Sequence, residues 1–190
     1  MIRIGILGDI GAGKSYVAKN FGYPIFDADQ EVSKLYKSDQ KIFNKLKKKL
    51  PKYIYSTPID KKEITNAILT NKKNLDIIIK IIHFEIRKKL SIFLKENRKE
   101  KIIILDIPLL LENKINNKKD ILIFVDSKKK QISKRLKKRK NFNEILLRKF
   151  KSIQLPASYK KKKSQFIIRN DFTKKTVINR IKSILIKLQK

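Results

Sequence analysis

The sequence predicts an α/β fold, a three-layer α/β/α arrangement in which helices cover both faces of a five-stranded parallel sheet. Three observations carry this expectation. Short apolar runs recur at residues 2–7, 23–26, 102–106, 121–125 and 166–168. The stretches between them mostly carry helical periodicity, and strands that alternate with helices build a parallel sheet rather than hairpins. The first run leads directly into a glycine-rich turn at residues 8–13, followed by a helical segment.

Taken in order, residues 2–7 read as a strand sheltered on both faces, the usual environment of a central parallel strand. Between the second and third runs, residues of about 30–98 form a helical insertion. In it Asp60 and Glu63 stand at the spacing of a capping box, and an apolar stretch covers 75–94. Residues of about 127–165 are dense in Lys and Arg, with helix signals around 131–136 and 144–151, and read as a mobile basic lid. The lysine run at 160–163 reads as a flexible surface turn. At the end of the chain, Val177, Ile178, Ile181, Ile184, Leu185 and Leu188 recur at steps of one, three and four, so this segment is an amphipathic helix packed on the sheet. No internal repeat or linker divides the chain, and residues 1–190 are expected to form a single domain.

A chain of 190 residues buries a core without staples, and it has no cysteine. No apolar run is long enough to cross a bilayer and no leader pattern opens the chain, so a cytoplasmic protein without a membrane partner is expected. The charge is unusual: 49 Lys plus Arg against 17 Asp plus Glu give a net +32. Such a surface attracts polyanions of any kind. The chain is also crowded with Lys, Ile and Asn and has only 5 Gly, 5 Pro, 1 Met and no Trp, a composition that fits AT-rich codon usage. Charge alone therefore assigns no function.

The strongest chemical signal is Gly8-Asp9-Ile10-Gly11-Ala12-Gly13-Lys14-Ser15, which satisfies G-x-x-x-x-G-K-S/T between a strand and a helix, the context that a phosphate-binding loop requires. The glycines let the backbone curl so that successive N–H groups face phosphate oxygens, and the next helix presents its first amides to the same anion. Lys14 is expected to reach the β- and γ-phosphates of ATP, and the Ser15 hydroxyl to supply a ligand to Mg²⁺. The strand ending in Asp106 supplies a second acid for the metal. The chain is thus read as a P-loop NTPase.

Further along, Ile25-Phe26-Asp27-Ala28-Asp29, His83-Phe84-Glu85-Ile86-Arg87 and Leu105-Asp106-Ile107-Pro108-Leu109-Leu110-Leu111-Glu112 follow the loop in order. Gln131, Arg135 and Arg139 then stand at Q-x-x-R-x-x-x-R spacing, before Gln154-Leu155-Pro156 and Ile168-Arg169-Asn170. Together with the loop, these segments resemble the dephospho-coenzyme A kinase family over nearly the whole chain. The resemblance implies a sheet ordered 2-3-1-4-5 and transfer of the γ-phosphoryl group of ATP to the 3′-hydroxyl of dephospho-coenzyme A, the last step of coenzyme A synthesis. It implies the residues 8–16 around ATP, including Tyr16, with Ser15 and Asp106 at Mg²⁺. Asp29 becomes the acceptor-hydroxyl base, Asp27 a loop support, and Arg139, with Arg135, a closing arginine over the transferring group. His83, Arg87, Pro108 and Leu109 are expected at the acceptor, with Arg87 gripping a phosphate through its planar fork. Asn170 is expected at the turn that meets the adenine, where its amide or equally the backbone would read the base edge.

The chain departs from the family pattern at Asp9 for a glycine, Tyr16 for a threonine, Phe84 for a proline and Lys140 for an acid. None removes a required group, although Asp9 brings a negative charge near the phosphates. Two other readings compete: a small P-loop kinase with a different acceptor, and a basic nucleic-acid-binding protein, motivated only by the charge. The second lacks a recognition helix or an aromatic platform, so no specific nucleic-acid partner is expected. A monomer acting on a small molecule is the expectation.

Overall fold

The computed structural model describes residues 1–140 and 142–188. Its elements in chain order are β1 (Ile2–Gly8), α1 (Lys14–Lys19), β2 (Ile25–Asp27), α2 (Ala28–Ser38), α3 (Gln40–Lys49), α4 (Lys61–Thr70), α5 (Lys72–Glu96), β3 (Ile102–Asp106), β4 (Ile121–Asp126), α6 (Lys129–Lys137), α7 (Glu144–Ser152), α8 (Ala157–Lys163), β5 (Phe166–Arg169) and α9 (Lys174–Leu188). The strands pair in the order β2-β3-β1-β4-β5, all parallel, with helices on both sides. The chain divides into two compact units, one made of Met1–Asp27, Asn97–Phe142 and Ile153–Lys190, the other of Ala28–Glu96 and Asn143–Ser152.

The first unit contains the whole sheet with α1, α6, α8 and α9. Its center is β1, flanked by β3 and β4, so that Ile4 lies beside Ile104 on one side and Ile121 on the other. Ile4, Ile6, Ile103, Ile104, Leu105 and Ile123 are fully buried, and each such side chain contributes about 1.5–3 kcal/mol of burial. From α9, Val177, Ile181 and Ile184 are buried, the part of the apolar stripe that faces inward. At the amino ends of the strands Arg3 pairs with Asp120 at 2.9 Å, and burial pushes the Asp120 carboxyl above its usual range despite the nearby guanidinium.

The run at 160–163 is not the flexible surface turn expected from its lysines. It lies in α8, and Lys160 is among the most completely buried large side chains. Its ammonium lies 3.5 Å from Glu112 Oε1 and donates to Gln154 Oε1 at 3.3 Å. Glu112 Oε1 also accepts the Leu155 N–H at 3.0 Å. A buried charge needs such partners, and no local pattern in a run of four lysines distinguishes the one that has them.

The second unit is helical, built of α2–α5 and α7. In α5 the buried residues Leu75, Ile78, Ile82, Ile86 and Leu90 recur at steps of three and four, forming the stripe on which α2, α3 and α4 pack. Residues 143–152, read as part of one lid with 127–165, belong to this unit. Lys149 Nζ donates to the Leu69 carbonyl at 3.1 Å. The predicted capping box is half formed. Asp60 caps α4 by accepting the Lys62 N–H at 2.8 Å, but Glu63 does not reach back to it. Buried Glu63 instead accepts the N–H groups of Tyr55 at 3.0 Å and Ser56 at 3.2 Å, together with the Ser56 hydroxyl. Three donors from the preceding loop satisfy its carboxylate better than a single cap N–H does.

Candidate active site

In the first unit the carboxyl ends of the parallel strands bring Gly8, Asp27, Asp106 and Asp126 to one edge, where an open α/β sheet binds its ligands. The register sets Asp27 of β2 directly beside Asp106 of β3, and Asp106 is buried at 4% exposure. From β1 the chain turns through residues 8–13 into α1. Gly11 and Gly13 hold φ of 86° and 91°, the left-handed region that glycine enters without strain. A Cβ on Gly11 would approach within 2.9 Å of Leu136, and one on Gly13 would collide with the Asn170 amide. Gly13 caps α1 without a side-chain bond, so the helix opens on backbone N–H groups. Asp9, the departure from the family pattern, is not among the positive-φ residues, and its carbonyl closes the loop by accepting the Ala12 N–H at 3.1 Å. A side chain is therefore tolerated there.

Lys14 folds back along the loop and donates to the carbonyls of Gly8 at 3.2 Å and Asp9 at 3.0 Å. Ser15 and Tyr16 follow in the exposed first turn of α1. The Ala12 carbonyl is pinned twice, by the Ser127 hydroxyl and by the Asn170 amide, each at 2.9 Å. Ile132 and Leu136 of α6 pack beneath Gly11. After β3, Ile107 to Leu110 form a turn in which the Leu110 N–H donates to the Ile107 carbonyl at 3.2 Å. Pro108 and Leu109 stay half-exposed while Leu110 is buried.

In the second unit Asp29 lies exposed in the first turn of α2. His83 and Arg87 stand one turn apart on α5, His83 half-buried and Arg87 exposed. Burial, and then the Arg87 charge, hold the His83 pKa below its usual value, so the ring favors its neutral form. Phe84, where the family pattern has proline, is 55% exposed and carries the ammonium groups of Lys88 at 4.3 Å and Lys45 at 5.5 Å from its ring.

A family model described as dephospho-CoA kinase matches residues 2–176. The chain is 33% identical to a dephospho-CoA kinase of Wolbachia sp. subsp. Brugia malayi over 187 residues, covering 96% of this chain and 95% of that one. The chain belongs to the dephospho-CoA kinase family. Two solved structures share its fold: TT1252 from Thermus thermophilus, with TM-score 0.77 and 23% identity over 98% and 97% of the two chains, and a dephospho-CoA kinase from Campylobacter jejuni, with TM-score 0.63 and 20% identity over 98% and 96%. The activity that goes with the family is phosphorylation of dephospho-CoA, with ATP as the phosphate donor. Among the described residues no helix is long and apolar enough to cross a membrane.

The Asn170 amide is engaged within the protein. Asn170 is 2% exposed, its Nδ2 donates to Ala12, and its Oδ1 accepts the Phe172 N–H at 2.9 Å. The amide braces the phosphate loop. Arg139 lies past α6, which ends at Lys137 and is capped by Lys138; it is exposed, and its N–H donates to the Leu136 carbonyl at 3.1 Å. Arg135 is on α6, and its guanidinium lies over the Phe172 ring at 4.2 Å. Ser127 and Phe172 carry no functional signal in the sequence. The first follows a strand, where a hydroxyl gives no distinctive signal, and the second occupies a turn with no periodicity.

Proposed function

We propose that this chain transfers the γ-phosphoryl group of ATP to the 3′-hydroxyl of dephospho-CoA, with Asp29 taking the hydroxyl proton. The observation that carries the reading is the phosphate loop: two glycines at positive φ that no other residue would fit, a lysine laid along the loop, and a carbonyl held by two buried or half-buried partners. The residues fit the groups they are proposed to hold. Backbone N–H groups within residues 8–16, other than that of Ala12, and the Lys14 ammonium would bind the phosphates, and the Ser15 hydroxyl with the Asp106 carboxylate would hold Mg²⁺. Among the described residues no group of three or more His, Cys, Asp or Glu is arranged for a metal. A Mg²⁺ that draws most ligands from phosphates and water needs none.

When bound, ATP and Mg²⁺ supply the phosphoryl group and the divalent charge that neutralizes its oxygens. Lys14 balances charge on the phosphates, and Arg139, on an exposed segment past α6, covers the transferring group. Asp29 orients the acceptor hydroxyl and accepts its proton as the new P–O bond forms and the bond to ADP breaks. Arg87 grips an acceptor phosphate, neutral His83 adds a hydrogen bond rather than a charge, and Pro108 and Leu109 line the acceptor.

The test is ADP release by the purified chain with Mg²⁺-ATP and dephospho-CoA, against adenosine, AMP and no acceptor, with products identified by mass. Acceptor-dependent ADP release with a matching coenzyme A product, reduced about 10³-fold or more in Lys14→Ala, is expected. A chain that binds ATP but releases no ADP with dephospho-CoA would overturn the reading.

A further inference from the structure

Between β3 and β4 the chain makes a compact turn over residues 107–115, which starts beside Asp106 and carries Pro108 and Leu109. Its far end is closed by the main chain. The Ile115 N–H donates to the Leu110 carbonyl at 3.0 Å, and the Lys114 N–H to the Leu111 carbonyl at 3.1 Å. Lys114 holds φ of 50°, the left-handed position that glycine usually fills where a helical turn stops in this way. Ile115 and Leu110, the apolar pair that accompanies such a stop, are both buried. The Leu109 carbonyl accepts the Asn113 N–H at 3.1 Å and the Asn113 Nδ2 at 3.0 Å. The turn is thus bonded to itself from Leu109 to Ile115, and its placement depends on what it is tied to.

Glu112 makes that tie. Its Oε1 accepts the N–H of Leu155, 43 residues further along the chain, at 3.0 Å. The same oxygen lies 3.5 Å from the Lys160 ammonium, which also donates to Gln154 Oε1 at 3.3 Å. All of these residues belong to the first unit. The Glu112 and Lys160 side chains are 7% and 2% exposed, and Glu112 Oε2 is buried with no hydrogen-bond partner. Stability is a poor reason for such a pair, because apolar residues of similar volume serve as well or better, and an unsatisfied buried oxygen adds a cost. What a charged acceptor on a backbone N–H supplies, and an apolar contact does not, is one direction and one distance.

We infer that Lys160 and Glu112 are positioning residues for the acceptor. Lys160 holds the Glu112 carboxylate on the Leu155 N–H, and through the bonds of the turn this fixes where Pro108 and Leu109 stand beyond the end of β3. Neither charged side chain touches the acceptor, since both are buried beneath the turn. The inference rests on the reading of Pro108 and Leu109 as acceptor-lining residues.

The experiment is steady-state kinetics on the full chain, with dephospho-CoA and Mg²⁺-ATP varied in turn, beside thermal unfolding of each variant. Lys160→Met with Glu112→Leu replaces the pair by apolar groups and keeps a thermal midpoint close to that of the wild type. Its KM for dephospho-CoA rises about tenfold while kcat and the KM for ATP stay within about twofold, the mark of lost acceptor binding. Lys160→Met with Glu112→Gln keeps an oxygen for the Leu155 N–H but no charge. Its acceptor KM lies between those of the wild type and the leucine pair, and this variant serves alone if the leucine pair folds poorly. An acceptor KM that stays at the wild-type value in a folded double variant would overturn the inference, since the pair would then only fill space. An equal rise in both KM values would overturn it too, because the pair would then support the whole sheet edge. A wild-type chain that does not turn over dephospho-CoA sinks the proposed acceptor and the inference with it, whereas turnover with unmoved variants sinks the inference alone.

Discussion

In the first unit the groups assigned to the phosphates are held by backbone: β1 ends in the loop, Ala12 is bonded from Ser127 and Asn170, and Leu136 and Ile132 fill the space beneath Gly11. In the second unit the groups assigned to the acceptor, Asp29 and Arg87, stand on exposed helix positions, and only His83 is half-buried. A site that binds phosphates common to every nucleotide relies on main-chain geometry, whereas recognition of a particular acceptor relies on individual side chains. Substitutions in the two units should therefore fail differently, by loss of order in one and by loss of a single contact in the other.

The largest effect is expected from Asp29→Asn. It removes the proposed proton acceptor, so kcat should fall about 10²–10⁴-fold while ATP binding holds. Steady-state kinetics beside calorimetry check this, and a change of less than about threefold would place the proton elsewhere. Next comes the buried pair of the first unit. Lys160→Met leaves Glu112 buried without its cation and should destabilize the chain by about 3–5 kcal/mol in denaturant unfolding. The double variant Lys160→Met with Glu112→Leu should recover most of that loss, because an apolar pair of similar volume removes the stranded charge.

Asn170→Ala sharpens the comparison further. It leaves the Phe172 N–H without its acceptor and the Ala12 carbonyl with one donor fewer, so a loss of about 1–3 kcal/mol of stability is expected, with weaker binding of ATP and tripolyphosphate alike. Titration calorimetry with both ligands checks this. The smallest effect is a pH dependence in the second unit. The folded chain lowers the His83 pKa from its usual 6.5, so the histidine's contribution to stability is full above that value and is lost as pH falls below it toward the lowered pKa. His83→Gln should flatten the stability profile below about pH 6.5. An unchanged slope would place the titration in another group.

Much of this was readable in residues 2–15, 102–106 and 121–126, because a phosphate loop needs glycines, a lysine and a hydroxyl at fixed spacing, and because buried parallel strands are continuous apolar runs. The α5 stripe was legible for the same reason, as a period set by the helix itself. Glu63, Lys160 and Phe172 were misread or passed over: Glu63 answers to donors of the preceding loop, Lys160 to a carboxylate distant in the chain, and Phe172 lies in a turn without periodicity.

By itself the sequence determined the alternation of strands and helices, the phosphate loop and the family, all of which rest on local spacing. Only the tertiary structure decided that Lys160 is buried on Glu112, that the Asn170 amide braces Ala12, and that Arg135 lies over the Phe172 ring. The physical reason is that the burial of a charge, the satisfaction of an amide and the face of a ring are settled by which groups the fold brings within a few ångströms, and those groups lie tens to more than a hundred residues apart in the sequence.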